Sequence, residues 1–237
     1  MSTITPIEPI SMPANSPASA GGPSSNGGEQ RTVFRGVDWH TYEQLSNAIG
    51  EGQQVRLIFD GKDLEIMVTG NIHERYKVLL GRIVDAVIMG LDVDNLGCGQ
   101  TTWKTVSRGL EADLSYYFDP AKIRVAKEAI SRMSMEPGDY PRPDLAIEIE
   151  MSAPQVDRRA IYKELGVAEV WRLVRGRELI IEQLQADGSY APIDRSRYLR
   201  IGAEDVVRWL NEEANERAAA WNRRLNLWAM GLGNPQS

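Results

Sequence analysis

The nine residues Pro143–Met151 constrain this chain more than any others. Read as a strand, Pro143-Asp144-Leu145-Ala146-Ile147-Glu148-Ile149-Glu150-Met151 divides into two faces, because successive side chains point to opposite sides of a pleat. Leu145, Ile147, Ile149 and Met151 make an apolar face. Asp144, Ala146, Glu148 and Glu150 make the other. Like charges along one face repel and cost stability. A bound cation relieves that repulsion; so does an edge position, where the acidic face is solvated. The segment alone leaves both open.

Composition narrows the choice of cation. Cys98 is the only cysteine, and His40 and His73 are the only histidines. That excludes an intrachain disulfide and zinc sites built from Cys and His. A metal here is a hard cation held by oxygen, Mg²⁺ or Mn²⁺. Net charge is −6, which counts against a broad basic grip on nucleic acid but allows a local basic rim. Lys122, Arg124, Lys127 and Arg132 form one basic cluster, and Arg158, Arg159 and Lys163 another. Taken singly, each reads as an ordinary solvated helix face.

Residues 1–30 are Ser, Pro, Gly, Ala and Asn with almost no large apolar side chain, a composition that predicts a disordered tail. The tail has neither the basic start nor the apolar core of a secretory signal, so the expected compartment is the cytoplasm. No apolar run approaches the ~20 residues needed to cross a bilayer, so no membrane partner is expected. Residues 31–202 are expected to form one domain, followed at 203–237 by an amphipathic helix and tail.

Turn signals and apolar periodicity predict a helix over Thr41–Ala48 with Thr41 as its N-cap, and a hairpin of Val55–Phe59 with Asp63–Val68. A long helix over Ile72–Met89 follows. Strands are expected at Gln100–Val106 and Ala112–Phe118, and a helix from Asp119-Pro120 to Ile130. Beyond the central strand come a helix at Pro154–Leu165 and strands at Val170–Val174, Glu178–Gln183 and Ala191–Asp194. One helix is expected over Ala203–Trp228. The pattern is an α/β fold with a mixed sheet, antiparallel in its hairpins and parallel across one strand–helix–strand crossover.

The strand expected at Ala112–Phe118 repeats the acidic pattern, with Glu111, Asp113, Ser115 and Tyr117 on one face. If it neighbours the central strand with apolar faces aligned, Asp113 and Glu148 project into one cleft. Two carboxylates are as many as Mg²⁺ commonly takes from a protein. Arg158 falls at the N-terminal end of the inward stripe defined by Ile161 and Leu165. It either snorkels to solvent or faces an anion, such as Glu150 or a phosphate. Glu74 suits the first turn of its helix, where anions are favoured, and is alternatively a further carboxylate aimed at the metal. His73 is expected to be packed or solvent-facing.

These residues resemble a known family. Pro143–Ile149, the run Ile161-Tyr162 with Leu165-Gly166-Val167-Ala168-Glu169-Val170-Trp171-Arg172, and Arg108–Tyr117 are similar to the motifs of the Uma-two family of restriction-endonuclease-like proteins. The resemblance spans Trp39–Leu210. It implies the PD-(D/E)xK nuclease fold, a restriction-endonuclease-like mixed sheet flanked by helices, and Mg²⁺-dependent cleavage of DNA. It implies Asp113 and Glu148 as metal ligands. It also gives Arg158 the place, four residues before a Tyr, where relatives carry a helical Lys. Glu150 stands in the slot of the superfamily's strand Lys. Arginine stays protonated and cannot act as a general base, but it can hold a phosphate bidentately. The proton of the attacking water then goes to Glu150 or to solvent.

Three readings follow. The first is an endonuclease using Asp113, Glu148, Glu150, Arg158 and Glu74 on DNA. The second is a non-catalytic binding or regulatory module in which Arg158 and Glu150 pair and hold the site shut. The third, compatible with either, is an assembly in which the terminal stripe of Val206, Leu210, Ala214, Ala218, Trp221, Leu225 and Trp228 supports a homodimer; such stripes more often dock on their own domain.

Overall fold

The computed structural model describes residues 29–50, 54–99, 101–105, 107–134 and 136–233. The tail expected over residues 1–30 lies outside the described residues apart from its last two. Glu29 is buried and Gln30 begins the first strand, so the last two residues of that expected tail are part of the fold. The elements run β1 (Gln30–Arg35), α1 (Trp39–Ile49), β2 (Val55–Phe59), β3 (Asp63–Val68), α2 (Asn71–Leu91), β4 (Leu96–Cys98), β5 (Thr101–Lys104), β6 (Gly109–Ala112) and β7 (Leu114–Tyr117). Then come α3 (Pro120–Ser131), β8 (Leu145–Glu150), α4 (Arg158–Leu165), β9 (Glu169–Val174), β10 (Glu178–Leu184), β11 (Tyr190–Pro192), α5 (Ala203–Glu213) and α6 (Ala218–Leu232).

The fold is mixed α/β, as expected, and its strands fall into two sheets flanked by helices. One has the order β1-β3-β2-β6-β5, the other β11-β10-β9-β8-β7-β4. The expected hairpin of β2 and β3 is present. The expected parallel crossover is β8–α4–β9, with Ile147 opposite Trp171 and Glu148 opposite Arg172.

The strand expected over Ala112–Phe118 is broken at Asp113, and the break is what joins the two sheets. β6 pairs with β5 and β2 in the first sheet, whereas β7 pairs with β8 in the second. The β7–β8 register sets Leu114 opposite Ile147 and Ser115 opposite Ala146. Carried one step further, that register would set Asp113 opposite Glu148 and Ala112 opposite Ile149. Ala112 has already left for the other sheet, and the Ile149 N–H donates instead to Asp113 Oδ2 at 2.8 Å. The carboxylate thus satisfies a backbone donor that the departing strand would otherwise strand in the interior.

All six residues of β8 are buried, and the strand is internal to its sheet. That rules out the solvated-edge arrangement. Leu145, Ile147 and Ile149 pack with Leu80, Ile83 and Val84 of α2 and with Val206, Trp221 and Leu225 of α5 and α6. On the opposite face Ala146 joins Met67, Trp103, Ile161 and Tyr162 in a second core. Glu148 shares that second face, so the acidic side of β8 looks into the space between the second sheet, α4 and the first sheet.

The single helix expected over Ala203–Trp228 is two, separated at residues 214–217. The break folds α6 back so that Trp221 meets Trp209 edge-on at 6.0 Å and its Nε1–H donates to the Trp209 carbonyl at 3.0 Å. In an unbroken helix those two residues, twelve apart, would be separated by roughly 18 Å. α6 lies against α2, where a Cβ at Gly90 would collide with the Ala229 carbonyl. The terminal stripe therefore docks on its own domain: Val206, Leu210, Trp221 and Leu225 are all core residues.

The remaining differences are local. The N-cap of α1 is Asp38, whose side chain accepts the Thr41 N–H at 2.7 Å, so the helix starts earlier than a Thr41 cap would give. The strands β1 and β4 were not foreseen; β1 combines four polar or charged residues with little alternation. Of the strand expected at Gln100–Val106, both end residues lie outside the described residues. Among the described residues no helix is long and apolar enough to cross a membrane.

Candidate active site

Two buried carboxylates lie near each other where the sheets meet. Asp113 and Glu148 are 0% and 1% exposed. The break after β6 delivers the first and the central strand β8 the second. Asp113 Oδ2 takes the Ile149 N–H, whereas Oδ1 is buried with no hydrogen bond. Glu148 is held by Tyr162, whose hydroxyl donates to Oε1, and by Arg158, whose Nη1 donates to Oε2. Burial pushes Glu148 above the usual carboxylate range and the Asp113 charge adds to the effect, while Arg158 opposes it.

α4 supplies both partners because of how it begins. Asp157 caps it by accepting the Arg159 and Ala160 N–H groups at 3.0 and 3.3 Å. That places Arg158 in the first turn and Tyr162 one turn later on the same inward face. Arg158 is only 4% exposed. Its Nη2 also lies 3.4 Å from Glu65 Oε1 of β3. Glu65 is gripped in turn by Arg31 of β1 and by the Gln155 and Val156 N–H groups at 2.6 and 3.1 Å. Burial alone would raise the Glu65 pKa; Arg158 and Arg31 outweigh it and hold the carboxyl below its ordinary value.

The other side of Asp113 is also lined by bases. Arg56 of β2, 1% exposed, sits 3.6 Å from Asp113 Oδ1 and 3.4 Å from Glu111 Oε2. His73, fully buried in the first turn of α2, has Nε2 3.2 Å from Asp113 Oδ2 and Nδ1 3.4 Å from Glu74 Oε1. Burial works against protonating His73, but contact with Asp113 and the nearby Glu74 charge raise its pKa overall. Asp113 is held low, against burial, by His73 and Arg56. Glu74 is 35% exposed at its side chain, so Asp113, His73 and Glu74 form a line from the interior towards solvent.

Of the residues singled out from sequence, Asp113, Glu148 and Arg158 come together, and Glu74 joins them through His73. Glu150 does not. It lies 3.3 Å from Arg172 Nη1 on the neighbouring strand, so the expected Arg158–Glu150 pair is replaced by Arg158–Glu148 and Arg172–Glu150. The cause is register: Arg172 stands on β9 opposite Glu148 and within reach of Glu150 on the same sheet face. Asp144 accepts the Phe118 and Asp119 N–H groups, each at 2.8 Å, and pairs with Lys122 at 2.6 Å, tying α3 to the start of β8.

Sequence reasoning missed Arg56 and Glu65, and it expected His73 to be packed or solvent-facing; His73 is packed, with its ring against Asp113. A signal for Arg56 and Glu65 existed. Ile58 lies opposite Glu65 and Arg56 opposite Met67 in the β2–β3 hairpin, so a charged residue alternates with Ile58 and Met67 on one core-facing side. His73 gave no such signal, because only the break at Asp113 brings that carboxylate to the start of α2.

The pair Asp113–Glu148 fits a hard divalent cation in donor type and number, and Asp113 Oδ1 is a buried oxygen with no hydrogen bond. No group of three or more His, Cys, Asp or Glu side chains among the described residues is arranged to hold a metal ion, so the fit rests on those two carboxylates.

Comparison with known proteins identifies the family. The model of the Uma2 family, described as "Putative restriction endonuclease", matches residues 39–210. A crystal structure of a "putative nuclease" from Anabaena variabilis is similar at 13% identity with a TM-score of 0.39, covering 60% of this chain and 84% of that one. A likeness that low carries no argument of its own. No curated protein matches.

Proposed function

The chain belongs to the Uma2 family, described as "Putative restriction endonuclease", and from that premise we propose that it is an endonuclease that hydrolyses DNA phosphodiester bonds with a divalent metal, Mg²⁺ or Mn²⁺, held by Asp113 and Glu148. The observation that carries the reading is the pair of buried carboxylates where the sheets join, Asp113 holding the N–H of the residue after Glu148, with a guanidinium seated on Glu148. When bound, the metal supplies a Lewis acid for the phosphate and a bound water of lowered pKa. Arg158 is a bidentate donor suited to a phosphate oxygen and to the charge that develops there. It stays protonated, so it takes no proton from water. His73 takes none either: its Nε2 faces Asp113 and its Nδ1 faces Glu74, an arrangement that favours the protonated ring and steadies the Asp113 charge, so the water's proton passes to solvent. Tyr162 orients Glu148 through its hydroxyl.

A second reading has one observation in its favour. Both oxygens of Glu148 are already engaged, by Tyr162 and Arg158. On that reading the scaffold binds or regulates without cutting, and the Arg158–Glu148 pair replaces the metal. Cleavage assays on supercoiled plasmid and single-stranded DNA separate the two. The nuclease reading expects cutting that needs Mg²⁺ or Mn²⁺ and is abolished in Glu148→Ala. Equal background from the wild type and Glu148→Ala on both substrates sinks it.

A further inference from the structure

We infer that the cleft between the β9–β10 turn and the loop after β8 binds the phosphodiester backbone of nucleic acid beside the reacting bond, through Arg175 and Arg177. This rests on the nuclease reading and names how the same site would hold its substrate.

The cleft has a volume of about 520 Å³ and is lined by Glu150, Ser152, Pro154, Arg172, Arg175 and Arg177, among others. It continues the acidic face of β8. Arg172 stands on β9 opposite Glu148, and Glu150 lies two residues beyond Glu148 on that face, about 6.6 Å along at the usual rise. A strand of nucleic acid with a phosphate at Asp113 and Glu148 would therefore have a neighbouring stretch of backbone over this cleft.

The charges are distributed to leave two cations unused. Arg172 is paired with Glu150 and Glu182, and the nearby Arg159 with Glu182. Arg175 and Arg177 are exposed, and their side chains make no hydrogen bond or ion pair among the described residues. Against them the lining sets the exposed Glu178. In a chain of net charge −6, two adjacent unpaired guanidiniums at the mouth of a cleft mark a local anion-binding rim.

The turn that carries them is rigid. Arg175 and Gly176 have φ of 51° and 66°, both left-handed, within the three-residue turn 175–177 that closes on the Val174–Glu178 pair. Asn, Asp or Gly usually fills the first of those positions, so an arginine occupies it at a conformational cost. The Arg175 N–H donates to the Glu150 carbonyl at 2.8 Å and the Arg177 N–H to the Val174 carbonyl at 3.0 Å. Gly176 packs directly on Tyr76 of α2, where a Cβ would collide with the ring. The two side chains are thus presented from a fixed backbone, which lowers the ordering cost of binding.

The test compares the wild type with Arg175→Asn/Arg177→Gln, chosen because Asn tolerates the left-handed backbone. Arg124→Ala/Lys127→Ala on α3 serves as an exposed basic control. Binding of a labelled DNA duplex is measured in chelator over a series of salt concentrations. The inference expects the turn variant to bind on the order of tenfold more weakly and the log–log salt slope to shrink by about two, with the control unchanged. Wild-type affinity and slope in the turn variant would overturn it, as would an equal loss in the control. Displacement of DNA by millimolar inorganic phosphate at constant ionic strength would overturn it in favour of a small-anion site. Plasmid cleavage with Mn²⁺, measured separately, tells the two claims apart. A turn variant that cuts with unchanged KM refutes the cleft alone. A wild type that never cuts, but loses DNA binding in the turn variant, refutes the nuclease reading and retains the cleft.

Discussion

Glu148 is a carboxylate shut away from water, and its stability depends on Arg158 and Tyr162. Removing Arg158 would leave Glu148, Glu65 and Asp113 close together with one fewer cation. Arg158→Ala is therefore expected to cost about 3–5 kcal/mol, as loss of one partner of a buried ion pair does, seen as a lowered denaturation midpoint. Glu65 makes a second prediction, on pH. Its folded pKa lies below the unfolded value, so its ion pairs stabilise the fold above the unfolded pKa of about 4.3 and lose that contribution as pH falls through the folded pKa. Glu65→Gln should be less stable than wild type at pH 7, and the gap should close on acidification below about pH 4. A constant gap across that range would show that the Glu65 charge is not what stabilises this junction.

At the scale of elements, the informative places are where the chain departs from regular structure. The break at Asp113 joins two sheets, and the break at residues 214–217 lets Trp221 reach Trp209. Trp221→Ala should cost about 3–5 kcal/mol, because the side chain is fully buried between α2 and α5; an unchanged melting temperature would contradict that packing. Gly176→Ala should disturb the β9–β10 turn twice, through the left-handed backbone and through Tyr76, and Gly176→Asn should relieve only the first. Most elements were legible in the sequence, because alternation in β8 and the three-and-four spacing of α2 are local patterns. Asp113 and Glu148 each stood out as acids on the polar side of an alternating run, but the break at Asp113 that turns its carboxylate to the Ile149 N–H did not. Both breaks were illegible for one reason: Ala112–Phe118 and Ala203–Trp228 each keep their periodicity straight through the break, and only tertiary packing interrupts them. Glu150 was misassigned to Arg158 because a partner across β9 depends on strand register, which the sequence of β8 does not contain.

At the scale of the molecule, the two sheets meet over a shared apolar core and one polar seam, and the second sheet buries another core against α2, α5 and α6. β1 and β3 bring Arg31 and Glu65 to the seam, β2 brings Arg56, β8 brings Glu148, α4 brings Arg158 and Tyr162, and α2 brings His73. A ligand that binds the seam should therefore couple to the stability of the whole fold. At a hundredfold excess over its dissociation constant, Mn²⁺ should raise stability by about 2.7 kcal/mol, and Asp113→Asn should remove most of that gain. The most direct measurement of the central claim is anomalous diffraction from crystals soaked in Mn²⁺. The account predicts a peak bonded to Asp113 Oδ1 and a Glu148 oxygen, with the Arg158 guanidinium moved off Glu148. Arg158 still seated on Glu148, with no peak between the two carboxylates, would contradict it.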